Sequence, residues 1–210
     1  MATGVSPGVG KSTLMTSLAR TLRESGAIVD LFTEEQLFTR PDYARMAAGF
    51  RSRSFPTYEI FLTTYAAHIS QLRTAGSWGL FDWNCAGMAG DLPWARENPA
   101  AVVDLVRAVR ELAQGMAPIV LCLDAPIELA VRRAVAERGR DWVTKYAKIA
   151  ADNGVGQAEP IDMIIRYLRA EDQARVDLET LESAGWETAK LDATGSAADV
   201  LSRARAVLHV

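Results

Sequence analysis

Ten residues near the start of the chain, Gly4-Val5-Ser6-Pro7-Gly8-Val9-Gly10-Lys11-Ser12-Thr13, combine the groups that an oligophosphate needs. Gly8 and Gly10 carry no side chain, so the backbone can wrap a phosphate and aim several N–H groups at it, and the helix that follows adds the positive end of its dipole. Lys11 supplies a charge for the β and γ phosphates, and Ser12 stands where a hydroxyl would ligate Mg²⁺, a hard cation that takes oxygen ligands. The nucleotide-binding set read from this stretch is Gly8, Val9, Gly10, Lys11, Ser12 and Thr13. The usual spacing G-x-x-x-x-G-K-[ST] puts its first glycine at position 5, where this chain has Val5, with Gly4 one residue early. A plain Gly/Pro turn ahead of a helix is the alternative, but it leaves unexplained why the amphipathic run Leu14, Leu18, Ala19, Leu22 begins directly after Lys11.

A second chemical position is Asp82, which follows the apolar stretch Trp78-Gly79-Leu80-Phe81. If that stretch is a parallel strand, Asp82 stands at its carboxyl end, the edge where ligands gather in open α/β sheets, and a carboxylate beside a phosphate loop suits Mg²⁺ coordination. Asp124 is similarly placed but reads as the cap of the helix beginning near Pro126, so it is left out of the catalytic set. Phe55, Tyr58, Phe61, Tyr65 and Trp83 are the aromatic residues that could line an acceptor pocket by stacking on a flat ring, although aromatics at helical spacing also build cores. His68, on the same helical stretch, reads as structural.

These residues need a scaffold, and the hydrophobic pattern supplies one. Residues 12 to 24 read as a helix closed at Ser25-Gly26, and Ala27 to Phe32 as a short buried strand. Pro41 to about Thr74 reads as helical but broken at Pro56, and Trp78 to Trp83 as a third strand. Asn84 to Pro99, rich in Gly, Pro and Asp, reads as loop; Ala100 to Gln114 as a helix; and Pro118 to Asp124 as the clearest buried strand. Helices over 127–138 and 141–151, a charged helix over 161–183, a strand over 187–192 and a closing helix over 197–208 complete the reading. Only four residues precede Val5, whereas a strand is commonly about five to six residues long, so either the first strand is very short or the chain begins within it.

The 210 residues are 49% hydrophobic and 23% charged, enough for one core, and a single domain over 1–210 is expected. A net charge of −3 with no basic run argues against nucleic acid as a partner. Cys85 and Cys122 have no metal-ligand company and do not make a disulfide framework. No apolar run reaches the length of a membrane span and the loop comes too early for a signal peptide, so a cytoplasmic protein is expected.

Short strands alternating with helices behind a phosphate loop predict a doubly wound parallel α/β sheet of five strands with helices on both faces. Together with Leu31-Phe32-Thr33-Glu34, Leu80-Phe81-Asp82, and Leu121-Cys122-Leu123-Asp124-Ala125-Pro126 running into Arg132, Arg133 and Arg138, the pattern resembles the P-loop nucleoside kinase and thymidylate kinase family. The resemblance implies strand order 2-3-1-4-5, a lid at about 132–157, ATP and Mg²⁺ as cofactors, and transfer of a phosphoryl group to a small-molecule hydroxyl. It implies that Glu34 is the general base, that Asp82 and Ser12 hold the metal, and that Lys11 and the lid arginines Arg133 and Arg138 face the phosphates. Glu34 and Glu35 could also be simply the acidic start of a helix. Two departures bear on the acceptor: Trp83 stands where the family often has arginine, and Tyr58 aligns near Pro56 where deoxynucleoside kinases place a base-reading glutamine. A nucleoside, nucleotide or nucleoside-like compound is the first acceptor, an antibiotic-type hydroxyl the second. The rival class is a nucleotide-dependent switch that would expose a partner surface over 55–83. A homodimer is compatible with the sequence, which does not fix the oligomeric state.

Overall fold

The computed structural model describes residues 1–4, 7–82, 85–90, 92–171 and 173–210. In chain order the elements are β1 (Ala2–Gly4), α1 (Lys11–Glu24), β2 (Val29–Phe32), 3₁₀ turns at Glu34–Phe38 and Pro41–Tyr43, α2 (Ala44–Arg51), α3 (Tyr58–Ala75), β3 (Trp78–Phe81), α4 (Cys85–Gly90), α5 (Pro93–Glu97), α6 (Pro99–Leu112), β4 (Ile119–Asp124), α7 (Ile127–Asp152), α8 (Pro160–Glu171), α9 (Gln173–Ser183), β5 (Glu187–Asp192) and α10 (Ala197–Leu208).

All strand pairs are parallel, and the faces of β4 show why helices lie on both sides. Successive side chains of a strand point to opposite faces. Val120 and Cys122 accordingly join a core with α3 and α6 residues such as Phe61 and Leu105, while Leu121 and Leu123 join a second core with α1 and α10 residues such as Leu18 and Val200. Leu14, Leu18, Ala19 and Leu22 form the buried stripe of α1, as the spacing predicts.

One expectation is corrected. In place of a single five-stranded sheet in the order 2-3-1-4-5, the described residues form a three-stranded piece, β1-β4-β5, and a two-stranded piece, β2-β3. A strand of three residues has few ladder groups to offer, and β1 uses one edge on Leu121 to Leu123 of β4 while making no ladder with β3 among the described residues. An apolar groove of about 430 Å³, lined by Met1, Trp78, Leu80, Phe81, Ile119 and Leu121 among others, opens between the two pieces. The stretch expected to be loop also differs, since it contains α4 and α5. Pro93 and Pro99 sit at helix starts, where the missing N–H costs nothing, so these prolines open helices.

The two expected helices over 127–138 and 141–151 are the halves of α7, broken at Gly139, whose φ of 73° lies where side-chain-bearing residues are strained. Val131 and Ala134 from the first half and Trp142 from the second pack with Ile164 of α8 in a third core. A Glu128–Arg169 ion pair ties the same two helices together. No helix among the described residues is long and apolar enough to cross a membrane.

Candidate active site

The phosphate loop is held between β1 and the first half of α7. At Gly8, with φ of 86°, an added Cβ would lie 2.3 Å from the Ala130 carbonyl and 2.8 Å from the Ala134 nitrogen, so only glycine lets the loop meet the helix this closely. Helix α1 starts at Lys11 with Gly10 as its cap residue, no side-chain cap hydrogen bond and no acid in its first turn. The first turn of α1 thus carries neither a side-chain cap nor an acid of its own, as suits a helix start that receives an anion.

Asp82 extends the β3 ladder by one bond, its N–H donating to the Phe32 carbonyl at 3.1 Å. This brings its carboxylate under the start of α1, where the Ser12 hydroxyl and the Glu34 backbone N–H donate to it. The side chain is buried, yet Oδ1 has no hydrogen-bond partner. Burial raises the Asp82 pKa above the ordinary aspartate value, while the Ser12 bond and the Lys11 charge pull it down. A buried carboxylate oxygen without a partner is costly, and a cation would relieve that cost. The donors present, one carboxylate and one hydroxyl, fit Mg²⁺, which is usually held by one or two protein oxygens with phosphates and water completing its shell. Among the described residues no cluster of three His, Cys, Asp or Glu side chains could hold a metal by itself.

Glu34 opens the 3₁₀ turn after β2. That turn is pinned by Gln36, whose N–H donates to the Thr33 carbonyl at 3.0 Å and whose Oε1 accepts from the Thr33 N–H at 3.4 Å. Its exposed carboxylate faces a cavity of about 430 Å³ together with Gly8, Gly10, Lys11, Ser12, Thr13, Asp82 and Arg138. Lys11 feels all of these charges. Burial lowers its pKa first, Asp82 and Glu34 pull it back up, and Arg138 pushes it down again.

Other predicted residues lie elsewhere. Arg133 turns its guanidinium onto the β5–α10 connection, donating to the carbonyls of Ala193 at 2.7 Å and of Thr194 and Gly195 at 3.0 Å each. It lines an adjoining cavity of about 320 Å³ that shares Gly8, Gly10, Thr13 and Glu137 with the first and also takes in Val9 and Leu123. Phe61 and Tyr65 are buried on α3, in the core with Phe81 and Leu105. Tyr58 packs edge-on against Trp94 at 6.0 Å, and Phe55 projects from a turn with 39% of its surface exposed. None of these four lines the phosphate-loop cavity; their helical spacing marks a core face, and the cavity is walled by a different helix. Trp83 lies outside the described residues. His68 is structural, as expected: its Nδ1 meets the Tyr43 hydroxyl at 2.8 Å and its Nε2 meets Asp30 Oδ2 at 2.9 Å.

The far wall of the cavity was not foreseen. It consists of Glu137, Trp142, Lys145 and Tyr146 of α7, Leu168 and Glu171 of α8, and Ala174 and Asp177 of α9. Trp142 and Tyr146, four residues apart on the helix after Gly139, stack with ring centroids 4.5 Å apart and planes 29° apart. That aromatic spacing just past the Arg138-Gly139-Arg140 break was the available signal. Asp177, buried in an otherwise charged helix, gave none.

No protein-family model matches the chain, and no curated protein matches it. Solved structures with a similar fold include deoxyadenosine kinase from M. mycoides with bound dATP, at 15% identity, TM-score 0.46, covering 100% of this chain and 98% of that one. The same enzyme with the products dCMP and a flexible dCDP bound matches at 14% identity, TM-score 0.42, covering 99% and 97%. Likeness at this level does not decide the chemistry, which has to be read from the site.

Proposed function

We propose that the protein is an ATP-dependent phosphotransferase acting on a hydroxyl of a small molecule. The observation that carries this is the meeting of Lys11, Ser12, Glu34, Asp82 and Arg138 around one cavity, with a partnerless carboxylate oxygen of Asp82 beside the Ser12 hydroxyl. The backbone from Gly8 to Lys11 and the Lys11 ammonium would hold the nucleotide phosphates, and Ser12 and Asp82 would hold Mg²⁺. The smaller cavity that adjoins the loop, lined by Arg133 and by Gly195 of the connection it holds, suits the nucleotide base. Bound Mg·ATP supplies the transferable phosphoryl group and neutralises its charge. Glu34, with no metal role, is the carboxylate available to orient an acceptor hydroxyl and take its proton. Arg138 adds positive charge at the same rim and shields it from water. A cytoplasmic setting, where ATP is abundant, fits this reading.

A cavity beside the loop that brings Glu34 and Arg138 to the phosphate side and leaves room for an acceptor favours a kinase over a nucleotide-dependent switch. The test is mass-spectrometric screening of a panel of hydroxyl compounds with ATP and Mg²⁺, with Lys11→Ala as control. A mass gain of one phosphate that disappears in the folded variant is expected. Nucleotide hydrolysis to free phosphate with no phosphorylated product would overturn the reading in favour of a switch.

A further inference from the structure

On the reading above, the loop, Asp82 and Arg138 are occupied by the nucleotide and its metal, which leaves the far wall to the acceptor. Two independent features of that wall describe what it would bind. The first is charge. Setting aside Lys11, Arg138 and Asp82, the cavity retains four carboxylates, Glu34, Glu137, Glu171 and Asp177, against one ammonium, Lys145. An excess of carboxylates around a cavity opposes an acceptor phosphate, which carries about two negative charges near neutral pH, and favours an ammonium. The second is the aromatic pair. Trp142 is only 8% exposed and its indole N–H has no hydrogen-bond partner, although Trp142 lines the cavity. A buried N–H donor of this kind normally has an acceptor, and a ligand oxygen would supply one. The stacked rings of Trp142 and Tyr146 offer an apolar face for the C–H side of a saturated ring and a π face for a nearby cation.

We infer that the acceptor is an amine-bearing, hydroxylated ring compound without a phosphate of its own, read by Trp142 and Tyr146 of α7 and by the carboxylate of Glu171. The ring rests on the aromatic pair, one of its oxygens accepts the Trp142 N–H, and its ammonium faces the acidic wall while a hydroxyl reaches Glu34.

The test compares four sets of probes in the presence of ATP and Mg²⁺, read by calorimetric binding and by phosphoryl transfer: amino-glycosides, the same compounds N-acetylated, nucleosides, and nucleoside monophosphates. Amino-glycosides are expected to be phosphorylated, and N-acetylation is expected to weaken binding by roughly tenfold or more through loss of the charge. Trp142→Phe keeps a ring and removes the N–H, and should weaken binding about five- to tenfold. Glu171→Gln, at an exposed position, should weaken the amine compounds several-fold and leave ATP binding unchanged. Preference for nucleosides or nucleoside monophosphates, indifference to N-acetylation, or unchanged binding in both variants would overturn the inference while leaving phosphotransfer standing. If ATP binds and no panel member is phosphorylated, the phosphotransfer reading fails, and this inference with it.

Discussion

Asp30 and Asp82 belong to the same two-stranded piece of sheet, and their surroundings could hardly differ more. Both oxygens of Asp30 are engaged: Arg40 Nη1 donates to them at 2.8 and 3.0 Å, and His68 Nε2 adds a bond at 2.9 Å. Arg40 in turn grips Asp42 through Nε at 3.0 Å and Nη2 at 2.9 Å. Although burial raises the Asp30 pKa, the Arg40 bond and charge outweigh it and the net shift is downward. For Asp82 burial wins and the shift is upward, with one oxygen left unsatisfied. A saturated network spends its hydrogen bonds on holding β2, the 3₁₀ turns and α3 together, whereas an unsaturated one keeps bonding capacity for something absent from the fold. The contrast separates an acid inside β2 that is bound into the fold from one just past β3 that faces the cavity.

The sharpest way to break this comparison is to neutralise each acid in turn. Asp82→Asn should reduce transfer by roughly 10² to 10³, the scale expected when a metal-holding charge is lost, and should leave the apo protein as stable or slightly more so, because a buried charge is removed. Asp30→Asn should do the opposite, costing about 1–3 kcal/mol in denaturant unfolding because Arg40 loses one of its two counter-charges and His68 loses a charged acceptor, while the surviving folded fraction transfers phosphate normally. Steady-state rates and urea midpoints for both variants decide it. If Asp82→Asn is destabilised and active, the assignment of roles is reversed.

Arg138 and Arg133 extend the contrast to the guanidinium groups. Arg138 faces the cavity, whereas Arg133 donates to three backbone carbonyls, an arrangement that builds a platform. Arg138→Ala should lower kcat by roughly tenfold or more with little change in ATP affinity, since its charge matters most in the transition state. Arg133→Ala should weaken ATP binding with a smaller effect on kcat. Equal losses of kcat and affinity in Arg138→Ala would make it a binding residue only.

What was legible follows the same division. The phosphate loop, the turn carrying Glu34 and the strand end carrying Asp82 are local: each is a short run whose residue types state a backbone geometry, and each lines the cavity. Element boundaries were legible where periodicity was strong, as in β5 and α10, and misleading around Pro93 and Pro99, where residues that break helices were instead starting them. The acceptor wall was not legible because it is assembled from three helices more than 100 residues beyond the loop. An aromatic stripe such as Phe61 and Tyr65 gives no sign in its spacing of whether it meets a ligand or a neighbouring helix. The division of the sheet turns on the three residues of β1; the four residues ahead of Val5 signalled a short strand but not which neighbour it would pair with.

The smallest expected effect is a pH dependence of stability that reports on the saturated side of the comparison. His68 is buried, and burial first and the Arg40 charge second hold its pKa below 6.5, against the upward pull of Asp30. A neutral ring that donates from Nε2 to Asp30 and accepts the Tyr43 O–H at Nδ1 satisfies both hydrogen bonds, so protonation of Nδ1 would cost the second. The unfolded chain therefore takes up its proton near the ordinary value of about 6.5, before the folded protein does. Where the unfolded state binds more protons, stability rises with pH. The stability linked to His68 is thus complete above about 6.5 and is lost as pH falls below it toward the folded pKa. Asp30 acts in the same direction but only below its ordinary value of 3.8, and Asp82, whose pKa is raised, acts in the opposite direction above 3.8. The buried Met1 amine, held down to about 6, titrates in the same window and direction, so thermal melts of Asp82→Asn between pH 7.5 and 5.5 should show stability falling with pH, and His68→Gln in the same background should reduce the slope without abolishing it. A slope that His68→Gln leaves unchanged would place the titrating group outside the Tyr43–His68–Asp30 chain and remove the case for calling that chain a purely structural network.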